Sequence, residues 1–472
     1  MNINKNIIIK IPIDNKEERK YIVDILLNEF LGLKYKFKFE KIIQNYEILL
    51  ENGNKLIIED HFFSQFPKDL EYLDEKNIPL KVEFSKNEFI VGNDIPIIYG
   101  TDLVKVKSEG DKKVINCGID IFASSFFMLT RWEEYVNKTR DIHNRFPAYA
   151  SLAYKNNFLD RPIVNEYVEM LWNMLTFLRC KQERKKREFQ LLLTHDVDHS
   201  YKYKSLLSGV KEIIGDIIKR KNPVLALQNL YDKISTHLKL KKDPFDTYDY
   251  LMDASESIGI KSYFFLHSSN SAKQDTNNDK YLKEVSNRIK KRKHYLGYHP
   301  SYNAFNNYEL FIKDKEKIEN IIEQKLTFGR QHFLRFEVPT TWQVWEDAKM
   351  EWDSTMGYAD KEGFRCGTCY SYSVFNILTR KTLKLKERPL IVMEGSLANY
   401  QNVSSEEMKL KILNLIEKVK KYNGEFVFLW HNSSFNIPFW KKYQNIYEKV
   451  LFNENSNSSR GKTSVYKGWT CE

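Results

Sequence analysis

The chain has 472 residues, 42% of them hydrophobic and 14% aromatic, which is enough to build sizeable cores and excludes an intrinsically disordered chain. Its formal charge is +11, from 74 Lys and Arg against 63 Asp and Glu, and a basic surface favours acidic glycans or an anionic membrane. Five sparse cysteines (Cys117, Cys180, Cys366, Cys369, Cys471) exclude a disulfide framework.

The opening stretch, MNINKNIIIKIPIDNKEERK, has too short an apolar run for a signal peptide. No stretch approaches the roughly 18 apolar residues that a spanning helix needs, so a soluble, cytoplasmic protein with no transmembrane segment is expected. Residues 45–63 (NYEILLENGNKLIIEDHFF) read as two strands around Asn52-Gly53, a short hairpin signal. Further β-like pieces fall at 80–91 and 112–117. Helices are predicted over 119–136 and 161–178, the second with Val164, Tyr167, Leu171, Leu175 and Leu178 at helical spacing. Arg131, Trp132, Glu133 and Glu134 read as a helix face. The charged run 181–187 reads as a linker, so residues 1–185 form an α+β accessory domain without a chemical motif.

From residue 186 the texture changes. Seven short apolar runs each end on polar residues: QLLLTHDVD (190–198), SYFFLH (262–267), YLGYHPSYN (295–303), HFLRF (332–336), WDSTMGY (352–358), PLIVMEG (389–395) and EFVFLWHNS (425–433). Helix-like stretches separate most of them. The connection 201–243 is long, basic and helix-like, and residues 279–291 put Leu282, Val285 and Ile289 on one face. Ser404 opens a capping box with Glu407, followed by a buried stripe of Met408, Ile412, Leu415 or Ile416, and Val419. A last helix after Pro438 is expected to bury Phe439, Tyr443, Ile446 and Val450. Strand, polar residue and helix in repetition predict a (β/α) barrel over 186–472, with its chemistry at the C-terminal mouth of the strands.

Asp196 and Asp198 would share one face of a strand end, and two carboxylates that close require a cation between them. A bound metal satisfies this, one Asp as ligand and the other as base toward an activated water. His299 joins them as a ligand, and four residues on, where a second ligand would meet the same ion, stands Asn303. His431 at the last strand end suits a general acid. Arg335 and Asp353 suit either a charge pair that orients the base or a structural salt bridge. The single Cys366-Gly367-Thr368-Cys369 reads as loop packing.

These residues, in this order, resemble the polysaccharide deacetylases of the NodB-homology type, the family-four carbohydrate esterases. The resemblance implies a distorted (β/α)7 barrel with one divalent metal, Zn or alternatively Co, Ni, Fe or Mn. It makes Asp196 the base and Asp198 a ligand, and matches His299 to the first histidine of the family's metal motif, with Asn303 in place of the second. Arg335, Pro339 and Trp342 match the third motif loosely, Asp353 stands for the fourth motif's acid, and Leu429 to His431 meets the fifth, with His431 as proton donor. The strings RQHFLRF, DSTMGYAD and GFRCGTC resemble a bacterial subgroup with an extra N-terminal domain, linked to surface-polysaccharide synthesis. The implied function is metal-dependent hydrolysis of an N-acetyl or other acyl group on an amino sugar of a surface polysaccharide or its precursor. The alternative, favoured by Asn303, is a catalytically degenerate barrel that binds glycan or nucleotide sugar. A carbohydrate partner is expected and a nucleic acid is not, since no RNA-binding motif or recognition helix is present. Should Asn303 not face the ion, His199 and His267 are the next candidates for the third ligand.

Overall fold

The computed structural model describes residues 7–203, 223–267 and 276–458; Cys471 and part of the basic connection 201–243 lie outside the described residues. The chain forms a mixed α/β protein whose contacts divide it into two compact units. The first comprises Met1–Leu191, Phe333–Val392 and Asn414–Val427, and the second Leu192–His332, Met393–Leu413 and Phe428–Glu472. Neither unit is continuous along the chain.

In the first unit a six-stranded sheet runs in the order Tyr35–Glu40, Ile7–Pro12, Tyr46–Leu49, Lys55–Ile58, Lys112–Ile119 and Gly100–Glu109. Tyr46–Leu49 and Lys55–Ile58 form the expected antiparallel hairpin. Gly53 takes φ 81 at its turn, a left-handed conformation that glycine adopts without steric cost. Of the β-like stretch 80–91 only Glu83–Ser85 is a strand. Ile163–Phe177 forms the expected helix and buries Val164, Tyr167, Leu171 and Leu175. Cys366 and Cys369 are buried and unbonded, as loop packing requires.

The helix expected over 119–136 is instead two, Ile121–Thr130 and Trp132–Val136. The Asp120 carboxylate accepts from the Ala123 amide at 2.9 Å and caps the first. Arg131 ends it in the left-handed region, at φ 53. The break turns the Arg131 guanidinium inward, where Nη2 meets Glu133 at 3.0 Å and Nε meets Glu134 at 2.9 Å. Arg365 grips Glu134 through Nε (2.9 Å) and Nη2 (2.5 Å). Two cations and two anions thus balance with almost no solvent, the four side chains being at most 2% exposed.

In the second unit strands Phe328–Gly329, Tyr295–His299, Tyr263–His267 and Gln190–Val197 lie side by side in parallel, and Glu425–Leu429 neighbours the last. Their runs of Phe264, Phe265, Leu266, Leu296 and Tyr298 are fully buried, as parallel strands covered on both faces require. Helix Thr276–Lys291 falls where the spacing predicts it, with Leu282, Val285 and Ile289 buried, and a further helix spans Tyr248–Ser257. Helix Ser405–Lys421 begins as the capping box requires, Ser404 Oγ accepting from the Glu407 amide at 3.2 Å. The final helix is Gln444–Ser458; Tyr443, Ile446 and Val450 are buried, whereas Phe439 lies on the preceding turn and is 43% exposed.

One strand is displaced from its expected place. Residues 332–336 form no strand; the strand is Phe328–Gly329, and His332–Leu334 is a tight turn. Gly329 passes so close to the neighbouring strand that a β-carbon there would lie 1.8 Å from the Tyr298 carbonyl oxygen. No other residue fits.

Burial alone would raise the Glu134 carboxyl, yet Arg365 and Arg131 hold it at about 2. Substituting Arg365→Met leaves one buried cation where there were two. A loss of about 3–5 kcal/mol in urea unfolding is expected, with the wild-type advantage fading as the pH falls from about 4.5 toward 2. An unchanged midpoint counts against this account.

Candidate metal and acid–base site

The polar residues that end the parallel strands of the second unit converge. Asp196 is the penultimate residue of Gln190–Val197 and Asp198 follows it. His267 and His299 close their strands. Arg330 and His332 follow Phe328–Gly329, Glu394 follows Val392–Met393, and His431 stands two residues past Leu429. Carboxyl ends of parallel strands are where α/β folds place their ligands.

Asp198, His299 and His332 form the core. Their ligand atoms all lie within 4.8 Å of one another, and among the described residues no other group of His, Cys, Asp or Glu meets that test. His299 Nε2 is 3.1 Å and His332 Nε2 3.4 Å from Asp198 Oδ1. Metal–ligand bonds of about 2.0–2.2 Å give a tetrahedron an edge of about 3.3–3.6 Å, within which the 3.4 Å spacing falls and from which the 3.1 Å spacing differs by only about 0.2 Å. One carboxylate and two imidazoles are also the donor set of many divalent-metal sites that leave positions open. His299 is held by a 2.7 Å contact between its Nδ1 and the Arg330 carbonyl, which leaves Nε2 toward Asp198.

The electrostatics follow from this crowding. Burial would raise the Asp198 carboxyl, but the His299 hydrogen bond and the His431 and His332 imidazoles outweigh it and hold it well below the carboxylate range. Burial and the neighbouring His299 push His332 down to about 2, and His267 to about 4 for the same two reasons. His299 is raised: burial opposes its charge, but Asp196 and Asp198 favour it. Neutral imidazole beside ionised carboxylate is the state in which these groups bind metals.

Two charged pairs border the core. Arg330 Nη1 donates to Asp196 Oδ1 at 2.9 Å and to Thr194 Oγ1 at 3.0 Å, and Asp196 Oδ2 lies 3.9 Å from His299 Nε2. His431 Nδ1 contacts Glu394 Oε1 at 2.6 Å, and its Nε2 stands 3.8 Å from Asp198 Oδ2. Glu394 also accepts from the His431 amide (3.1 Å) and Ser434 Oγ (2.7 Å). Burial works against a charge on His431, but Glu394 raises it to about 10.

Of the seven residues singled out in the sequence, Asp196, Asp198, His299 and His431 stand together here. Asn303 does not join the core; it is exposed, at the turn before the short helix Ala304–Asn306. His332 is the third member of the cluster instead. Arg335 belongs to the other compact unit, where Nε donates to the His143 carbonyl at 3.0 Å. The Asp196 carboxylate is held by Arg330. Asp353, also in that unit, is buried, accepting from Thr355 Oγ1 at 2.5 Å, while the His431 partner is Glu394. His267 packs its ring 4.4 Å from that of His332, and His199 is exposed. Misplacing one strand accounts for both Arg330 and His332: the strand ends seven residues before the run HFLRF does. Glu394 ends the run PLIVMEG and was in view without being assigned.

Residues 7–179 match a family of unknown function (DUF7033). No curated protein matches the chain. Among solved structures it is similar to a polysaccharide deacetylase from Mycobacterium smegmatis, with a TM-score of 0.37 and 10% identity over 60% of this chain and 87% of that one. A polysaccharide deacetylase from Bacillus cereus gives a TM-score of 0.28 at 14% identity over 57% and 89%. A CE4 family pseudoenzyme from Bacillus anthracis gives 0.30 at 10% identity over 60% and 63%. Similarity this distant leaves the function to be argued from the site's own geometry.

His332→Ala should abolish retention of Zn or Co after gel filtration, whereas Asn303→Ala should leave it within about twofold of wild type. Inductively coupled plasma analysis of the two variants reads this directly. Equal loss from both would remove His332 from the donor set.

Proposed function

We propose that the second unit is a metal-dependent amidohydrolase that removes an N-acetyl group from an amino sugar of a polysaccharide or its precursor. The observation that carries this reading is the pairing of Arg330 with Asp196 and of Glu394 with His431, each pair reaching to within 4 Å of the Asp198–His299–His332 set. A divalent ion held by Asp198, His299 and His332, Zn first among the candidates, would supply Lewis-acid polarisation of the acyl carbonyl and of water.

The chain's own residues do the rest. Asp196 accepts the proton of the attacking water, and Arg330 aims that carboxylate by a charge-assisted hydrogen bond. His431 donates from Nε2 to the departing nitrogen, while Glu394 fixes the ring through Nδ1 and keeps the imidazolium protonated near neutral pH. Amine loss is what such an acid is for. An amide nitrogen leaves only after protonation, so a strong His–Glu pair favours amide over ester hydrolysis. Asp198, His332 and His431 are 30%, 16% and 19% exposed, which leaves the cluster accessible to a substrate. The distorted barrel and the carbohydrate substrate come with this reading through the motif order of the sequence. A degenerate, binding-only protein was favoured by Asn303, and a second imidazole at His332, beside that of His299, removes that support.

Asp196→Asn should keep the metal and lose about 10²–10⁴-fold in acetate release from an N-acetylated chito-oligosaccharide. Retained turnover in Asp196→Asn, or no acetate release from the metal-loaded wild type on any N-acetylated saccharide, overturns the reading.

The pH dependence has a definite sign. Because Glu394 raises His431, the acid stays protonated as the pH passes the ordinary histidine value of 6.5 and is lost as it approaches about 10. Glu394→Gln should therefore move the basic limb of kcat/KM toward acid. A cation on Asp198 lowers the limb in both proteins, so the difference between the two profiles is the readout. Coincident profiles would show that Glu394 does not act on the proton donor.

A further inference from the structure

Helix Pro223–His237 faces the wrong way for a globular protein. Val224, Leu227, Tyr231, Ile234 and Leu238 recur at i, i+3, i+7, i+10 and i+14, a single stripe, and are 50–67% exposed. Among its described side chains, those buried are Ala226, Asn229, Lys233 and Ser235. The helix is held by polar contacts: Asn229 Oδ1 accepts from Lys202 Nζ at 3.1 Å, and its carbonyl accepts from Tyr203 Oη at 3.3 Å. An amphipathic helix normally buries the apolar stripe and solvates the polar one. Here the two are exchanged, so something outside this chain's described core covers the stripe.

The charge around the helix points to what that is. The described residues 201–203 and 223–242 carry five Lys against one Asp. Lys239 and Lys242 are exposed just beyond the apolar stripe, and Lys241 pairs with Asp232 while its ammonium lies 4.5 Å from the Tyr231 ring centre. A second copy of this helix would bring two such positive stretches together, which repulsion opposes. An anionic surface is complementary. An exposed apolar stripe, a tyrosine at its edge and lysines beside it is the composition of a helix that lies in a lipid interface. None of the described helices is long and apolar enough to cross a membrane.

We propose that helix Pro223–His237 seats the protein on an anionic phospholipid surface. Its apolar stripe lies at the boundary of headgroups and acyl chains, with Lys239 and Lys242 at the lipid phosphates. The inference stands on this helix alone and is independent of the chemistry assigned to the metal and acid–base site.

The test is co-sedimentation of the full chain with phosphatidylglycerol-rich vesicles and with pure phosphatidylcholine vesicles, alongside sedimentation velocity without lipid. Wild type should bind the anionic vesicles far more tightly, and added salt should weaken it. Lys239→Gln with Lys242→Gln should lower the partition coefficient about thirtyfold, at roughly 1 kcal/mol per lysine. Leu227→Glu with Ile234→Glu should lower it at least about a hundredfold, since two apolar side chains leave the interface. All four positions are exposed, so the variants should keep the wild-type circular dichroism. Three results would overturn the proposal: no binding of wild type to anionic vesicles, wild-type binding by the Leu227/Ile234 variant, or a lipid-free dimer that the same two substitutions dissociate. The last would assign the stripe to a second copy.

Discussion

Two carboxylates at one strand end, Asp196 and Asp198, impose the constraint on which the second unit depends. Desolvating both without compensation would cost several kcal/mol, so each must find positive charge or protonate. The fold supplies different partners to the two. Asp196 has a guanidinium, a fixed cation that aims the carboxylate through a charge-assisted hydrogen bond. Asp198 has imidazoles, which give up their protons and can be replaced by a metal ion. The chemical division of labour between two identical side chains thus originates in the pKa of their neighbours.

Backbone geometry makes that division possible. Arg330 and His332 both come from the segment after Gly329, where a β-carbon would collide with the Tyr298 carbonyl. The close approach lets the Arg330 amide donate to that same carbonyl at 3.0 Å. Two residues later the chain turns through Phe333 and Leu334, both at positive φ (60 and 53). Conformations of this kind cost roughly 1–3 kcal/mol each and persist where the surroundings over-determine them. A one-residue slip would exchange Arg330 for Gln331 and leave Asp196 uncompensated. The glycine and the strained turn therefore act through the residues they place.

Much of this was legible in the sequence, and the parts that were not share a cause. Alternating strands and helices, the hairpin at Asn52-Gly53 and the Ser404 cap follow from local chemistry, which sequence records directly. Asp196, Asp198, His299 and His431 were found because each ends a long apolar run. Arg330 and His332 follow a strand of two residues, too short to carry an alternation signal, so the longer run HFLRF drew attention to Arg335 instead. Asp353 and Glu394 are both acids after short strands, and only the third dimension tells which one faces His431. The break at Arg131 was hidden for a related reason. Arg365, which shares Glu134 with Arg131, lies 234 residues further along the chain, and no local pattern reports a buried charge network assembled from such distant parts.

That network also clarifies why the second unit, rather than the first, carries the candidate chemistry. Arg131, Glu133, Glu134 and Arg365 are as richly charged as the strand-end cluster, and a count of titratable groups would not separate them. Solvent does. The four are sealed, with opposite charges matched one for one, so any proton taken or given there would strand a buried charge. In the strand-end cluster the arrangement is graded instead. Arg330 and Glu394 are fully buried and hold position, while Asp198, His332 and His431 reach solvent. Reactants and protons can arrive only where the outer groups are accessible, and those groups stay aimed only because the inner ones are not. A buried second rank behind an exposed first is the property that distinguishes a reactive site from a structural one.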